Sequence, residues 1–220
     1  MRGIPVEASV TNGHASEGMQ LRNHLEAGRL YVQDRGFVDY RLLAHMLDKH
    51  ASFIARLKTN TAFTVSEERT VSPEAKAAGI IRDCLISRLG TDHHKQEIHQ
   101  ALRIIDIRSG DSIVRLVTDR LEMPAELIAL AYRYRWTVEL FFRWLKCILD
   151  CRHWLGESLK ALTIQVYAAL IASVLMVLWT NKKPTKATFE MLCFYFSGWA
   201  SEEELQRHID RLPQQALHPA

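Results

Sequence analysis

Five polar residues beyond the middle of the chain follow a helical spacing. Tyr132, Arg135, Glu139, Arg143 and Lys146 are separated by steps of three, four, four and three residues. On a helix this spacing confines them to an arc of roughly 80°. Apolar residues with the same period form the opposite face: Tyr134, Val138, Phe141, Leu145, Ile148 and Leu149. The pattern predicts an amphipathic helix with one buried and one polar face.

The polar face has two interpretations. It could be a solvated surface with ion pairs one turn apart, such as Arg135–Glu139 and Glu139–Arg143. It could instead present Glu139 as a metal ligand within a basic strip that binds phosphates. Residues 131–160 contain six Lys or Arg against three acids, so the whole net charge of +3 could come from this segment.

A second carboxylate with a possible chemical role is Asp34. It ends the apolar stretch "RLYVQD" and is followed by Arg35 and Gly36. Side chains at the carboxyl ends of strands line the binding crevice of an α/β sheet, and carboxylates around paired Mg²⁺ ions are suited to phosphodiester chemistry. The alternative is an Asp that forms a turn by capping backbone amides. The residues alone leave both interpretations open.

The elements that would position these residues alternate between strand and helix. Strands are predicted at 3–10, 29–34 and 52–58, with helices at 17–25 and after the predicted cap Asp39. This order predicts an α/β sheet with parallel neighbours. Residues 60–100 are polar and predict loops with short strands. A β-hairpin is predicted at 102–107 and 113–118, and Pro124 predicts the start of a helix at 125–134.

The C-terminal part is predicted to be helical, with helices at 186–196 and 201–211 after a long apolar stretch. That stretch, 161–179, carries no charge and is long enough to span a bilayer. It also contains Thr163, Gln165, Tyr167 and Ser173, so a buried helix is the expectation and no membrane association is predicted. The four cysteines show no disulfide or zinc spacing, which favours reduced thiols and a cytoplasmic location.

Two segments resemble the catalytic motifs of a known family. "YRYRWTVELFFRWLK" fits Y-x2-R-x3-E-x6-K at Tyr132, Arg135, Glu139 and Lys146, and resembles the third motif of DDE transposases of the insertion sequence 4 family. "YVQDRGFVDYRLLAHM" is similar to the second motif, with Asp34 as its acidic residue. "VEASVTNGHASE", "SFIARLK" and "WLKCILDCRHWLGES" also resemble family segments, so the resemblance covers nearly the whole chain.

The resemblance implies an RNase H-like core, with a mixed sheet interrupted by a mainly β insertion. The implied divisions are 1–59 for the N-terminal part of the core, 60–123 for the insertion and 124–220 for the helix that carries Glu139 and the C-terminal helices. It also implies that Asp34 and Glu139 are catalytic metal ligands for Mg²⁺ or Mn²⁺. Arg35, Tyr132, Arg135 and Lys146 would contact DNA.

The reaction implied by the resemblance is cleavage and strand transfer of transposon inverted-repeat ends into target DNA, with a homodimer as the acting form. The family's first catalytic Asp lies on a central first strand, and no matching segment precedes residue 10. We therefore expect an inactive fragment that lacks this strand. The alternative function is an inhibitory fragment that binds DNA ends or full-length transposase without catalysis. The only aromatic residue in 59–123 is Phe63, so a hairpin route through a stacked flipped base has no support from the sequence.

Overall fold

A computed structural model of the chain describes residues 17–91, 96–139, 156, 158–182 and 185–212. The strand predicted at 3–10 and the predicted DNA-binding residue Lys146 lie outside these residues. The chain forms two compact units, of which one is His14–Trp136 and the other contains the helices that follow it.

The first unit alternates helices and strands in its N-terminal part and is rich in strands thereafter. Its helices are α1 (Glu17–Asn23), a 3-10 helix (Arg35–Phe37), α2 (Tyr40–Asp48), α3 (Pro73–Ala77) and α4 (Ala125–Tyr134). Its strands are β1 (Leu30–Gln33), β2 (Ser52–Leu57), β3 (Phe63–Glu68), β4 (Ile80–Thr91), β5 (Gln96–Ile98), β6 (Leu102–Ser109) and β7 (Ser112–Thr118).

All seven strands belong to one mixed sheet. The order is β1-β2-β7-β6-β4-β3, and β5 pairs with β4. β1 and β2 are parallel, with Val32 opposite Ile54, whereas β2 and β7 are antiparallel, with Ile54 opposite Thr118. The predicted α/β class and the parallel pair are therefore confirmed. β7 also joins the strands from residues 60–123 to the β1–β2 pair in a continuous sheet.

Apolar side chains cover both faces of this sheet. On one face, Leu42, Leu43 and Met46 of α2 pack on a cluster that includes Phe53 and Ile104. On the other face, residues of α3 and α4 pack on a second cluster: Ala75, Ala125, Ile128 and Ala129 against Ile54, Ile80, Ile105 and Leu116. Adjacent residues of β2 therefore enter opposite cores, as the period of a strand requires. β2 is therefore buried on both faces, and α4 packs on one of them.

Local signals explain where the helices begin. The Asp39 carboxylate accepts a hydrogen bond from the Arg41 backbone N–H at 2.9 Å and so caps α2 as predicted. Pro124 precedes the first residue of α4, also as predicted. Ser72 caps α3 by accepting from the Ala75 N–H at 3.1 Å. After α3, Gly79 turns the chain into β4 with φ of +88°, a conformation that glycine adopts without a steric penalty.

The segment 60–100 differs from its prediction of loops with short strands. It contains β3 and the 12-residue β4. β4 was missed because its polar residues look unsuited to a buried strand. Asp83 is 4% exposed there, but its carboxylate receives two hydrogen bonds from Arg103 on β6. A partner twenty residues away thus satisfies a charge that the local pattern marks as solvent-facing.

In the part of the second unit that the structure describes, the main helices are α5 (Leu159–Thr180), α6 (Lys186–Phe196) and α7 (Glu202–Arg211). Ser201 and Glu204 form a reciprocal capping box at the start of α7. α6 and α7 are linked by a 3.2 Å contact between His208 Nε2 and Thr188 Oγ1. Lys182 Nζ donates to the backbone carbonyls of Ile209 and Asp210 near the end of α7. Cationic capping of this kind stabilises a helix C-terminus.

α5 confirms the predicted long apolar helix, but the expected burial is not found. Its most apolar window has a mean hydropathy of 2.2, and only 22% of it is buried. The buried residues lie on one strip of the helix: Ala169, Leu170, Ser173 and Met176. By length and composition α5 is the one helix among the described residues that could cross a membrane, which by itself is weak support for a membrane location.

Candidate functional site

The site forms around Asp34, which follows the last residue of β1. Its carboxylate accepts a hydrogen bond from the Arg35 backbone N–H at 2.8 Å and caps the 3-10 helix. This is the turn-forming role that the sequence offered as one alternative. The same carboxylate is also contacted by side chains from β2 and from the end of α4. Asp34 therefore combines a local cap with long-range contacts.

Two residues of the polar helical stripe reach Asp34 directly. The Tyr132 hydroxyl donates to Asp34 Oδ1 at 3.0 Å, although the two residues are 98 positions apart. Arg135 Nη2 lies 3.5 Å from Asp34 Oδ2. The Arg135 guanidinium also lies 5.6 Å from the centre of the Tyr132 ring, within the range of a cation–π interaction. The structure thus brings together three of the residues that the sequence singled out.

Arg56 was not predicted, and it completes the arrangement. Its Nη1 lies 3.8 Å from Asp34 Oδ1, so a second guanidinium approaches the carboxylate. Arg56 is the only residue of β2 that is not buried. The sequence carried one signal for it, a single arginine in the otherwise apolar strand "SFIARL". The signal is weak, because an arginine on a strand is usually an exposed surface residue.

The electrostatics of the cluster follow from these contacts. Partial burial acts to raise the pKa of Asp34. The hydrogen bonds from the Arg35 N–H and the Tyr132 hydroxyl, together with the charges of Arg135 and Arg56, outweigh it and hold the pKa below its ordinary value. Burial, the Asp34 charge and the shared hydrogen bond raise the pKa of Tyr132. At neutral pH the cluster therefore contains an ionised Asp34 and a protonated Tyr132 that can donate a hydrogen bond.

A cavity of about 480 Å³ lies beside Asp34 and shares its arginines. Four arginines and two aromatic residues contribute to its lining: Arg56, Arg108, Arg133, Arg135, Tyr132 and Trp136. No Asp or Glu is among the residues that line it. Several arginines around one cavity favour an anion, and Arg in particular matches the geometry of phosphate.

The remaining predicted site residues are placed separately. Arg35 is exposed in the 3-10 helix, and its backbone N–H serves Asp34. Glu139 is half-buried in helical backbone at 136–139 and belongs to the second unit, whereas Asp34 belongs to the first. Their use as a pair stays a prediction, as does the role of Lys146.

Asp34 by itself supplies only one carboxylate, which is too few ligands to hold a metal ion. A hard divalent cation takes several oxygen ligands, whereas the charged side chains that contact this carboxylate are two guanidiniums. Among the described residues, no three His, Cys, Asp or Glu side chains are grouped so that they could hold a metal. The guanidiniums of Arg56 and Arg135 bring positive charge to these surroundings, which is suited to an anion beside the carboxylate.

Comparison with known protein sequences identifies the family of this chain. A family model described as "Transposase DDE domain" matches residues 1–175. "Putative transposase y4zB" of Sinorhizobium fredii (strain NBRC 101917 / NGR234) is 31% identical over 153 residues, which are 69% of this chain and 43% of that protein. "Probable transposase for insertion sequence element IS5377" of Geobacillus stearothermophilus is 27% identical over 202 residues, 89% of this chain and 52% of that protein. The chain thus spans about half the length of these relatives. Since the family model covers most of its residues, the chain belongs to the transposase DDE domain family.

Proposed function

We propose that this chain functions in DNA transposition by binding the phosphate backbone at transposon ends beside Asp34. The observation that carries the proposal is the contact of Tyr132 and Arg135 with Asp34 across about 100 residues of sequence. A hydroxyl donor and a guanidinium beside an acidic residue can hold a DNA phosphate next to that acid. The whole transposase would cleave the transposon end and join it to target DNA.

We further propose membership of the insertion sequence 4 family and an RNase H-like core. Support comes from the four-residue signature at Tyr132, Arg135, Glu139 and Lys146, and from the position of Asp34 after a strand that pairs in parallel with its neighbour. On the same basis we propose a cytoplasmic protein that acts as a homodimer or together with full-length transposase.

DDE transposase domains generally use divalent metal ions. We propose Mg²⁺, or Mn²⁺, with Asp34 and Glu139 among its ligands. Such an ion would polarise the phosphodiester and activate the attacking oxygen. The guanidiniums of Arg56 and Arg135 oppose a cation at Asp34 in the arrangement described above. Isothermal calorimetry of Mn²⁺ binding to the wild type, Asp34→Asn and Glu139→Gln tests the assignment without reference to activity.

A second candidate function is a binding module without catalysis. In this case the chain would occupy DNA ends, or pair with a transposase, and inhibit it. The observation that favours it is the cationic character of the Asp34 surroundings, which suits DNA and needs no metal. Cleavage assays separate the candidates, because only the first predicts that the motif residues support cutting when the complete transposase is present.

Fluorescence anisotropy with a labelled duplex from the end of the element tests DNA binding. We expect the affinity to fall steeply with salt, because each phosphate contact displaces counterions. Arg135→Ala should reduce the slope of log K against log salt by about 1. The matched control is Arg41→Ala, which removes an exposed arginine from α2 and should leave the slope unchanged. An Arg135→Ala variant with the wild-type slope would refute the proposed role of the cluster.

A further inference from the structure

Four arginines line the cavity beside Asp34, and two of them do not contact the Asp34 carboxylate. Arg56 and Arg135 line the cavity and also contact the Asp34 carboxylate. Arg108 and Arg133 line it as well, but neither forms an ion pair with another described residue. Both are exposed. These two guanidiniums therefore lie beside an occupied cluster and can accept a further anion.

The backbones of Arg108 and Arg133 belong to separate, well-anchored parts of the fold. Arg108 lies near the end of β6, where its backbone N–H donates to the Gly79 carbonyl at 2.8 Å. Arg133 is in the last turn of α4. The loop before α4 is fixed by Arg103, whose Nη1 donates to the carbonyls of Leu121 and Met123. The cavity thus has walls from the sheet and from a helix, both anchored by buried contacts.

The composition of the cavity identifies the class of ligand. Its charged lining residues are all arginines, and its other walls include Ile107, Val114 and Ala129. A volume of about 480 Å³ has room for a phosphate with its attached sugar, but not for the full width of a duplex. A DNA strand that passes Asp34 would carry repeated negative charge along its backbone.

We propose that Arg108 and Arg133 form a second phosphate site, which binds the backbone of a DNA strand next to the phosphate held beside Asp34. This inference rests on the proposed function and extends it to two residues outside the Y-x2-R-x3-E-x6-K pattern. The site adds affinity and fixes the path of the strand, because two adjacent phosphates define a direction where one does not.

The test compares the pair Arg108→Ala/Arg133→Ala with the pair Arg22→Ala/Arg41→Ala in the full chain. The control pair removes the same charge from exposed positions on α1 and α2 that do not line the cavity. Anisotropy titrations with a labelled duplex should show a salt slope about 1.8 smaller for the cavity pair. If the affinities extrapolated to 1 M salt are equal, this slope change lowers the affinity at 0.1 M salt by about 60-fold, while the control pair stays close to the wild type.

Two further measurements keep the result unambiguous. Circular dichroism checks folding, and if the alanine pair does not fold, Arg108→Gln/Arg133→Gln replaces it. Inorganic phosphate is titrated as a separate ligand, and we expect it to compete with DNA only weakly. Saturable phosphate binding that is lost in the cavity pair, with DNA binding unchanged, would overturn the assignment to DNA.

The outcomes distinguish this inference from the proposed function. Wild-type protein that binds DNA, together with a cavity pair of unchanged slope, overturns the second phosphate site and leaves the function of the Asp34 cluster intact. Wild-type protein without salt-dependent DNA binding overturns both. A reduced slope in the cavity pair alone supports the site.

Discussion

Removal of the Arg103 side chain should cost much of the stability of the first unit. Arg103 and Asp83 are 5% and 4% exposed. Nε and Nη2 of Arg103 donate to the two Asp83 oxygens at 2.7 and 2.5 Å, and Nη1 donates to the carbonyls of Leu121 and Met123 at 2.8 and 2.6 Å. Arg103→Ala would leave a buried carboxylate without its counter-charge, which costs about 3–5 kcal/mol. The total stability of a domain is typically only about 5–15 kcal/mol.

The interaction can be isolated with a double-mutant cycle. Asp83→Leu combined with Arg103→Met removes both charges, so we expect most of the lost stability to return. Arg29→Ala is the control, because the Arg29–Glu26 pair is about half exposed and should contribute at most about 1 kcal/mol.

The assay must report on the sheet itself. Four of the five tryptophans follow residue 136 and belong to the second unit, so the total tryptophan fluorescence reports mainly on that unit. Urea unfolding followed by far-UV circular dichroism gives the free energy, and amide hydrogen exchange of β4 and β6 locates the loss. An Arg103→Ala variant that loses less than about 1 kcal/mol would refute the idea that this buried pair depends on both partners.

Three further predictions concern the site and its support. Tyr132→Phe removes a hydrogen bond to Asp34, so the pKa of that carboxyl should rise towards its ordinary 3.8. In the wild type the lowered pKa contributes stability that is present above pH 3.8 and is lost as the pH falls through the folded-state value. Carbon-detected NMR titration measures the shift, and an unchanged pKa would contradict the assigned hydrogen bond. Gly79→Ala places a side chain at φ of +88° and should cost about 1–2 kcal/mol in thermal melting. Gly36→Ala, with no atom near an added Cβ, is its control, and equal effects would argue against strain at Gly79. Finally, we expect the chain alone not to nick inverted-repeat DNA in Mg²⁺; nicking that disappears in Glu139→Gln would prove this expectation wrong.

The elements predicted from sequence were those whose signals are local. β1, β2, the β6–β7 hairpin and α4 each show a periodic apolar pattern or a capping residue, and each appears within a few residues of its predicted bounds. β4 was missed because Asp83 is satisfied by Arg103 on another strand. The same reason applies to the site. The helical stripe predicted Tyr132 and Arg135, whereas Arg56 and Arg108 join them only through the pairing of strands far apart in sequence.

The burial of β2 separates the positions that support folding from the one position that faces the site. Every residue of this strand is buried except Arg56, whose side chain approaches the Asp34 carboxylate. A substitution elsewhere in β2 would damage the packing of a core and destabilise the fold. A substitution at position 56 changes the charge beside Asp34 while the packed strand persists. Position 56 is therefore the place in β2 where a substitution would change ligand binding beside Asp34 without removing a buried side chain from either core.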